Sequence, residues 1–477
     1  MPNDTTNNTV RIGVFFDGTG AHKDNDIKIG DGVLTNVGKL YELYEKEFTS
    51  LYEPGVGTIP LTDEQIQAIK EGKAERMDYY GKSDMAFGSG AKNISENMMG
   101  QINEKINKIR ETNPNAQILV DVYGFSRGAA IARDFMNSFN EKYKNDNNAN
   151  IDFAGLYDTV ASVGTKHNIF NGGLNLNLNE HSANKIVQFT AKNELRTNFP
   201  LHSLKDKDSD IPNNIVEKSI YGAHADVGGG YANIYHDNII KEQGTVNYIG
   251  EIDKARKIEN LCEDAKDKNY ERVIVSENDS LGFVNYQCVQ KEEKTNELGI
   301  VGLHAMMQEI SNHEIKFKDL DSFNEKYPLP EQFQEYANAI SNNEDISRYE
   351  NNLKGYISQS GRSLFPGIDD VKEDSFLIHL VNAKRDEREV FNNNPDKAVS
   401  NNALAEQEQQ YDALIGQESI EEPTLMELME ATTGHLSDKE IGESKIEFEK
   451  LEREYKEQQQ TLSEKSNSDD NIRRMGD

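Results

Sequence analysis

The string Gly124-Phe125-Ser126-Arg127-Gly128 constrains this chain more than any other. Before it runs Ala116-Gln117-Ile118-Leu119-Val120-Asp121-Val122-Tyr123, rich in residues that favour a strand. After it come Ala129-Ala130-Ile131-Ala132-Arg133-Asp134-Phe135-Met136, which read as a helix. A G-x-S-x-G turn between strand and helix is a nucleophile elbow. Its strained turn points the serine hydroxyl out of the strand end, and its glycines let strand and helix close around it. The backbone N–H after the serine faces the place where an oxyanion forms when a carbonyl is attacked. The same five residues also occur in ordinary strand-to-helix loops, so the reading depends on a base and an acid further along.

Charge removes several function classes. The net charge is −31 over 477 residues, with a sequence pI near 4.8. A nucleic-acid partner needs a basic surface to displace counterions, and none is expected here. Adsorption to anionic lipid by charge is disfavoured too, so membrane contact would use apolar surface or a delivery partner. Hydrophobic residues make up 36% of the chain and tryptophan is absent. The apolar residues therefore come in short runs between polar stretches.

Cys262 and Cys288 have no metal-type spacing, and two reduced thiols are the expected state. Residues 1–9 are polar and expected to be disordered. They show neither a basic nor an apolar signal region. No apolar stretch approaches 18 residues, so no transmembrane helix is expected. The expectation is a protein made in the cytoplasm without a signal peptide, which needs dedicated export to act elsewhere.

Strand signals recur along the chain. Val10 to Phe16 is apolar and ends in Asp17-Gly18-Thr19-Gly20. Ile151 to Tyr157 runs into Asp158-Thr159-Val160, Lys185 to Ala191 into Lys192-Asn193-Glu194, and Ile215 to Gly222 into Ala223-His224-Ala225-Asp226. Helices are expected at Thr35 to Tyr44, Ala91 to Arg110 and Leu298 to Ile310. Leu51 to Thr58 reads as loop after a short apolar start. This is the pattern of an α/β fold, α/β-hydrolase-like, with a mostly parallel central sheet, helices on both faces and polar insertions. A catalytic domain over residues 10–390 is expected, with a charged and polar insertion near 59–90 and a charged, patternless one near 245–295. Residues 391–477 read as an acidic helical tail, with helices at Leu425 to Ala431 and Ile441 to Gln460 and a disordered end.

In parallel α/β sheets, ligands bind beyond the carboxyl ends of the strands. Ser126 lies at such an end. In the hydrolase order of serine, acid and histidine, the base follows the third strand after the nucleophile, and this is His224. His224 opens a Gly228-Gly229-Gly230 turn, and capping of that turn by His224 and Asp226 is the plain structural alternative. The acid is Asp158 or Glu194. Asp158 ends an unbroken apolar strand, as a buried orienting carboxylate should. Glu194 sits among Lys192, Asn193 and Arg196, where a salt bridge suits it. Gly18 and Thr19 are candidates for a second oxyanion-hole N–H beside that of Arg127. Asp17 and Asp226 are secondary candidates, and two carboxylates are too few to call a metal site. His379 is the runner-up base, inside the apolar run Phe376 to Val381.

Six strings coincide in order with one family: Phe15-Phe16-Asp17-Gly18-Thr19, Thr35-Asn36-Val37, Gly55-Val56-Gly57-Thr58, Gly124-Phe125-Ser126-Arg127-Gly128-Ala129, Tyr157-Asp158-Thr159-Val160 and His224-Ala225-Asp226-Val227-Gly228-Gly229-Gly230-Tyr231. The chain resembles the α/β-hydrolase family that holds the first class of type VI secretion lipase effectors, the G-F-S-R-G phospholipases. The resemblance covers roughly residues 10 to 235, with weaker matches at Leu303 to Ile310 and Asp374 to Val390. It implies a triad of Ser126, Asp158 and His224 that needs no cofactor and no metal. It implies a serine esterase acting on acyl ester bonds of glycerophospholipids in a target-cell membrane. It further implies a type VI delivery component, release into a target-cell periplasm, and a cognate immunity protein in the producer. The family's D-E-x-R string reads Asn193-Glu194-Leu195-Arg196 here, with one carboxylate missing. A hydrolase of a soluble ester or thioester, and a non-catalytic adaptor on the same fold, are the alternative readings.

Overall fold

The computed structural model describes residues 8–44, 49–81, 90–161, 173–196, 199–207, 211–249, 251–259, 270–278, 283–313, 315, 317, 320–358, 388 and 390–394. Six parallel strands form the central sheet, in the order β2-β1-β3-β4-β5-β7. Their ranges are β1 Thr9–Phe16, β2 Thr49–Glu53, β3 Gln117–Phe125, β4 Ala149–Tyr157, β5 Lys185–Ala191 and β7 Ile215–Ile220. The intervening β6, Leu201–Asp206, stands outside this sheet and pairs in parallel with a late strand, Val390–Asn393. That late strand runs across residue 391, where the acidic tail is expected to begin.

Register aligns the carboxyl ends. Phe16 is opposite Gly124, Phe125 opposite Tyr157, Tyr157 opposite Phe189, and Ala191 opposite Ile220. Every loop that carries a candidate residue therefore leaves the sheet at the same edge.

The sheet buries both faces, which is why its strands read as continuous apolar runs rather than alternating ones. On one face, Ile12, Val14, Phe16, Val120 and Val122 pack with Met98, Ile102, Ile106, Phe135 and Phe139. Those partners come from the helices Ala91–Thr112 and Arg127–Tyr143. On the other face, Phe15, Tyr123, Phe153, Val187 and Phe189 pack with Leu40, Val301, Met306, Ile310 and Ile340. These belong to the helices Asn36–Leu43, Glu297–Asn312 and Glu331–Ser341. Fully burying one such side chain stabilises the fold by roughly 1.5–3 kcal/mol, so the two cores dominate the fold's stability.

Three sequence expectations change. The segment at Leu51, read as loop, forms the edge strand β2. It has only five residues, too short for a clear period. The segment 245–295, read as patternless, contributes to a three-stranded antiparallel sheet of Ile234–Asn247, Phe283–Thr295 and Tyr270–Asn278. There the Val, Ile and Tyr that favour strands are diluted by Glu and Lys, which hides the alternation. Cys288, expected to be a reduced thiol, is buried and disulfide-bonded, and the only other cysteine in the chain is Cys262.

No helix among the described residues is long and apolar enough to cross a membrane. His379, the run Phe376 to Val381 and the expected tail helices lie outside the described residues.

Candidate active site

Ser126 sits between β3 and the helix Arg127–Tyr143 with φ 57° and ψ −127°. A non-glycine residue at positive φ is strained, and such strain collects at working sites. The turn is locked by backbone hydrogen bonds. The Ser126 N–H donates to the Tyr157 carbonyl at 3.0 Å, and the Ser126 carbonyl accepts from Ala129 N at 3.0 Å and Val160 N at 3.3 Å. The glycines are steric necessities. A Cβ on Gly124 would lie 2.6 Å from Ala129 Cα, and one on Gly128 would lie 2.3 Å from the Asp17 carbonyl oxygen.

Asp158 follows β4, also at positive φ (41°), and is fully buried. Its Oδ2 is 2.5 Å from His224 Nδ1, and its Oδ1 accepts from the Ala191 N–H at 2.8 Å. The Arg388 guanidinium closes on the same carboxylate, with Nη1 donating to Oδ1 at 2.7 Å and Nη2 to Oδ2 at 2.8 Å. Burial by itself would raise this carboxyl. The Arg388 charge and the His224 bond hold it well below the usual carboxylate range.

His224 begins the short helix His224–Gly228 after β7. Its ring lies against Phe125, the residue before Ser126, at 4.6 Å between centroids, and meets Phe199 edge-on at 5.0 Å. Its Nε2 is buried and makes no hydrogen bond among the described residues. With Nδ1 committed to Asp158, that nitrogen is the free acceptor of a neutral imidazole. Burial pulls the imidazole below its ordinary 6.5, against the opposing pull of Asp158. A low value keeps the ring neutral, and a neutral ring can take a proton.

Glu194 is buried beside the dyad but pairs with Arg196. Its Oε1 accepts from the Arg196 N–H at 2.7 Å and from Nε at 2.9 Å, and its Oε2 accepts from Nη2 at 2.8 Å. Burial would raise this carboxyl, and the Arg196 charge lowers it to about 2. Glu194 also accepts the His224 backbone N–H at 3.3 Å, so it supports the histidine from behind.

The loop after β1 reaches the elbow from the other side. The Arg127 Nε donates to Thr19 Oγ1 at 2.6 Å, and a Cβ on Gly18 would lie 2.5 Å from the Phe125 ring. Asp17 shapes this loop, accepting from Gly18 N at 2.8 Å, Thr35 Oγ1 at 2.6 Å and Tyr52 Oη at 2.6 Å. The Thr35 side chain also accepts from Gly38 N, so one residue caps the helix Asn36–Leu43 and holds the loop. Asp226 turns away from the dyad. It accepts from Ala223 N at 2.8 Å and from both the N–H (2.8 Å) and hydroxyl (2.6 Å) of Ser358. No group of three or more His, Cys, Asp or Glu among the described residues could hold a metal ion.

Asp158 and His224 are thus joined, Ser126 adjoins them through Tyr157 and Phe125, and Thr19 meets the elbow through Arg127, while the Gly18 N–H expected to face an oxyanion is taken by Asp17. Sequence reasoning missed Arg388. Its signal was the faint match at Asp374 to Val390, where nothing distinguishes Arg388 from the neighbouring Lys384 and Arg385.

Residues 134–244 match the family model described as the catalytic domain of Tle1-like phospholipase effectors of the type VI secretion system. Asp158, Glu194, His224 and Asp226 fall inside that stretch, and Ser126 lies just before it. Among solved structures, the Tle1 effector bound to the VgrG spike from the type VI secretion system is similar at 20% identity. It matches over 80% of this chain and 94% of that chain, with a TM-score of 0.48. An uncharacterized protein from Pseudomonas aeruginosa is similar at 20% identity over 47% of this chain and 42% of that chain, with a TM-score of 0.32. No curated protein matches the sequence.

Proposed function

We propose that this chain, whose residues 134–244 match the catalytic-domain model of Tle1-like phospholipase effectors of the type VI secretion system, is a serine esterase. It cleaves acyl ester bonds of glycerophospholipids through Ser126, His224 and Asp158. One observation carries the reading: a buried histidine bonded to a buried carboxylate at 2.5 Å, with its other nitrogen unpartnered, packed on the residue before a positive-φ serine.

The chemistry follows from those groups. His224 Nε2 takes the Ser126 Oγ proton as Oγ bonds to the ester carbonyl carbon. Asp158 holds the imidazole with Nε2 free and stabilises the imidazolium. The tetrahedral oxyanion lies at the N-terminus of the helix Arg127–Tyr143, where the Arg127 N–H and the helix dipole favour negative charge. The Gly18 N–H is taken by Asp17, so the second donor is the Thr19 N–H of the same loop. The intermediate collapses, the ester C–O bond breaks, and His224 returns the proton to the departing lysophospholipid hydroxyl. Water, deprotonated by His224, then hydrolyses the acyl-enzyme and releases the fatty acid.

Delivery by a type VI component into a target-cell periplasm, with a cognate immunity protein in the producer, belongs to the same reading. The net charge of −31 suits a partner with a basic face.

The test is fatty-acid release from phosphatidylethanolamine–phosphatidylglycerol vesicles by wild type and Ser126→Ala. We expect release that falls at least about a thousandfold in the variant. Equal activity in both proteins would end the serine mechanism. Inactivity on vesicles with Ser126-dependent cleavage of a soluble short-chain ester would move the substrate class to soluble esters.

A further inference from the structure

A triad acid needs two things: to stay ionised, and to keep its plane toward the imidazole. Backbone N–H groups often suffice for both. Here Ala191 supplies a single N–H, and the remaining acceptor sites of Asp158 are filled by His224 and by both Nη atoms of Arg388. A guanidinium fork matches a carboxylate with two parallel bonds, so it fixes rotation as well as charge. The fork is itself held, because Arg388 Nε donates to the Phe199 carbonyl at 2.8 Å and Nη1 also to the Ala191 carbonyl at 3.2 Å.

What brings Arg388 there is the strand Val390–Asn393. It pairs with β6 and packs the Phe391 ring, tilted, against His202 at 5.1 Å. The Asn393 side chain bonds both the N–H (3.0 Å) and the carbonyl (2.7 Å) of Leu178, and Asn394 N donates to Asn177 Oδ1 at 2.9 Å. Val390 is 47% exposed and Phe391 half-buried. Polar contacts hold the segment along its length, and the ion pair of Arg388 with Asp158 is buried.

We propose that Arg388 is a positioning residue of the triad, carried to the strand ends by the docked strand Val390–Asn393, where it holds the Asp158 carboxylate facing His224. Docking of that segment and competence of the dyad are then one event. The inference rests on the reading of Asp158 and His224 given above. The other charged groups near His224 are Glu194 and Arg196, and they satisfy each other. Arg196, engaged with Glu194, also feels the Asp158 charge but makes no fork on it, so it would compensate the loss of the Arg388 cation only in part. The Asp158 carboxyl would protonate more easily and the imidazolium would be better stabilised. Both changes move the acid limb of activity to higher pH.

The test uses the full-length protein on phosphatidylethanolamine–phosphatidylglycerol vesicles, with the folded fraction of each variant measured by near-ultraviolet circular dichroism. Arg388→Met should lower kcat by about a hundredfold, the scale of a misplaced catalytic group, with KM little changed. Its acid limb should shift up. Arg388→Lys should return the limb toward wild type, because the charge is restored, while kcat recovers only in part, because the fork is lost. Asn393→Ala, which touches no triad residue, should reproduce a weaker form of the Arg388→Met profile. In an Asp158→Asn background, Arg388→Met should add little, since residues acting as one unit are not additive.

An unshifted acid limb with unchanged kcat per folded molecule in Arg388→Met would overturn the proposal. So would full additivity with Asp158→Asn. If Arg388→Met does not fold, Arg388→Lys and Asn393→Ala decide by the same two readouts. Full activity in Ser126→Ala and Asp158→Asn would sink the triad reading and this inference together. Loss in those two with none in the Arg388 variants would sink this inference alone.

Discussion

The serine elbow and the acid cluster lie at the ends of neighbouring strands, yet they are held in different ways. Ser126 is fixed mainly by its neighbours in sequence: a strand before it, a helix after it, and two glycines whose hydrogens fit where a Cβ would collide. Asp158 is fixed by groups 33, 66 and 230 residues away, namely Ala191, His224 and Arg388. The first is a shape problem solved by five residues. The second is a charge problem, because a fully buried carboxylate stays ionised only if the fold gathers donors around it. One is readable as a motif, and the other is visible only once the strands are in register.

That contrast can be broken most sharply at the acid. Asp158→Asn preserves shape and removes charge, leaving Arg388 without its anion. We expect kcat to fall by about 10⁴-fold, as in triads that lose the orienting carboxylate. Stability should drop by roughly 3–5 kcal/mol, the scale of breaking a buried pair from one side. Vesicle kinetics and urea unfolding read the two effects. A loss of activity without a loss of stability would mean that Arg388 is not buried against the carboxylate in solution.

The elbow should break by shape instead. Gly128→Ala drives a methyl to within 2.3 Å of the Asp17 carbonyl oxygen. Such overpacking costs about 1–3 kcal/mol, and a small shift of Ser126 should cost activity about a hundredfold. The acid limb of kcat/KM should stay where it is in wild type, because no charge at the dyad has changed. A moved limb would show that elbow and acid cluster are one unit and not two.

The smallest effect is in wild type itself. In the proposed mechanism His224 acts as the neutral imidazole, and its folded-state value lies below the ordinary 6.5. Activity should therefore persist below pH 6.5 and fall only as the pH passes through that lowered value. The linkage sign agrees: between the lowered value and 6.5 the unfolded chain binds more protons, so the folded state also loses stability as the pH falls. An acid limb above 6.5 in the kcat/KM profile would contradict the buried, neutral imidazole.

Much of this was legible in the residues. The apolar runs of β1, β3, β4, β5 and β7, the elbow, and the polar residues at each strand end follow from local propensity and burial on both faces. Glu194 pairs with Arg196, the salt bridge that its sequence neighbours suggested, while Asp158 meets His224. The short edge strand β2, the charged antiparallel sheet and the Cys288 disulfide were not legible, because none has an apolar period to announce it.

What the sequence determined by itself was the parallel sheet and the strained serine turn, since steric room and hydrophobic burial act over a few residues. What only the tertiary structure decided was how distant groups close on Asp158, and which cation, from the far end of the described chain, keeps that carboxylate charged. Electrostatics in a dry interior depend on distance in space, and spacing along the chain does not carry that distance.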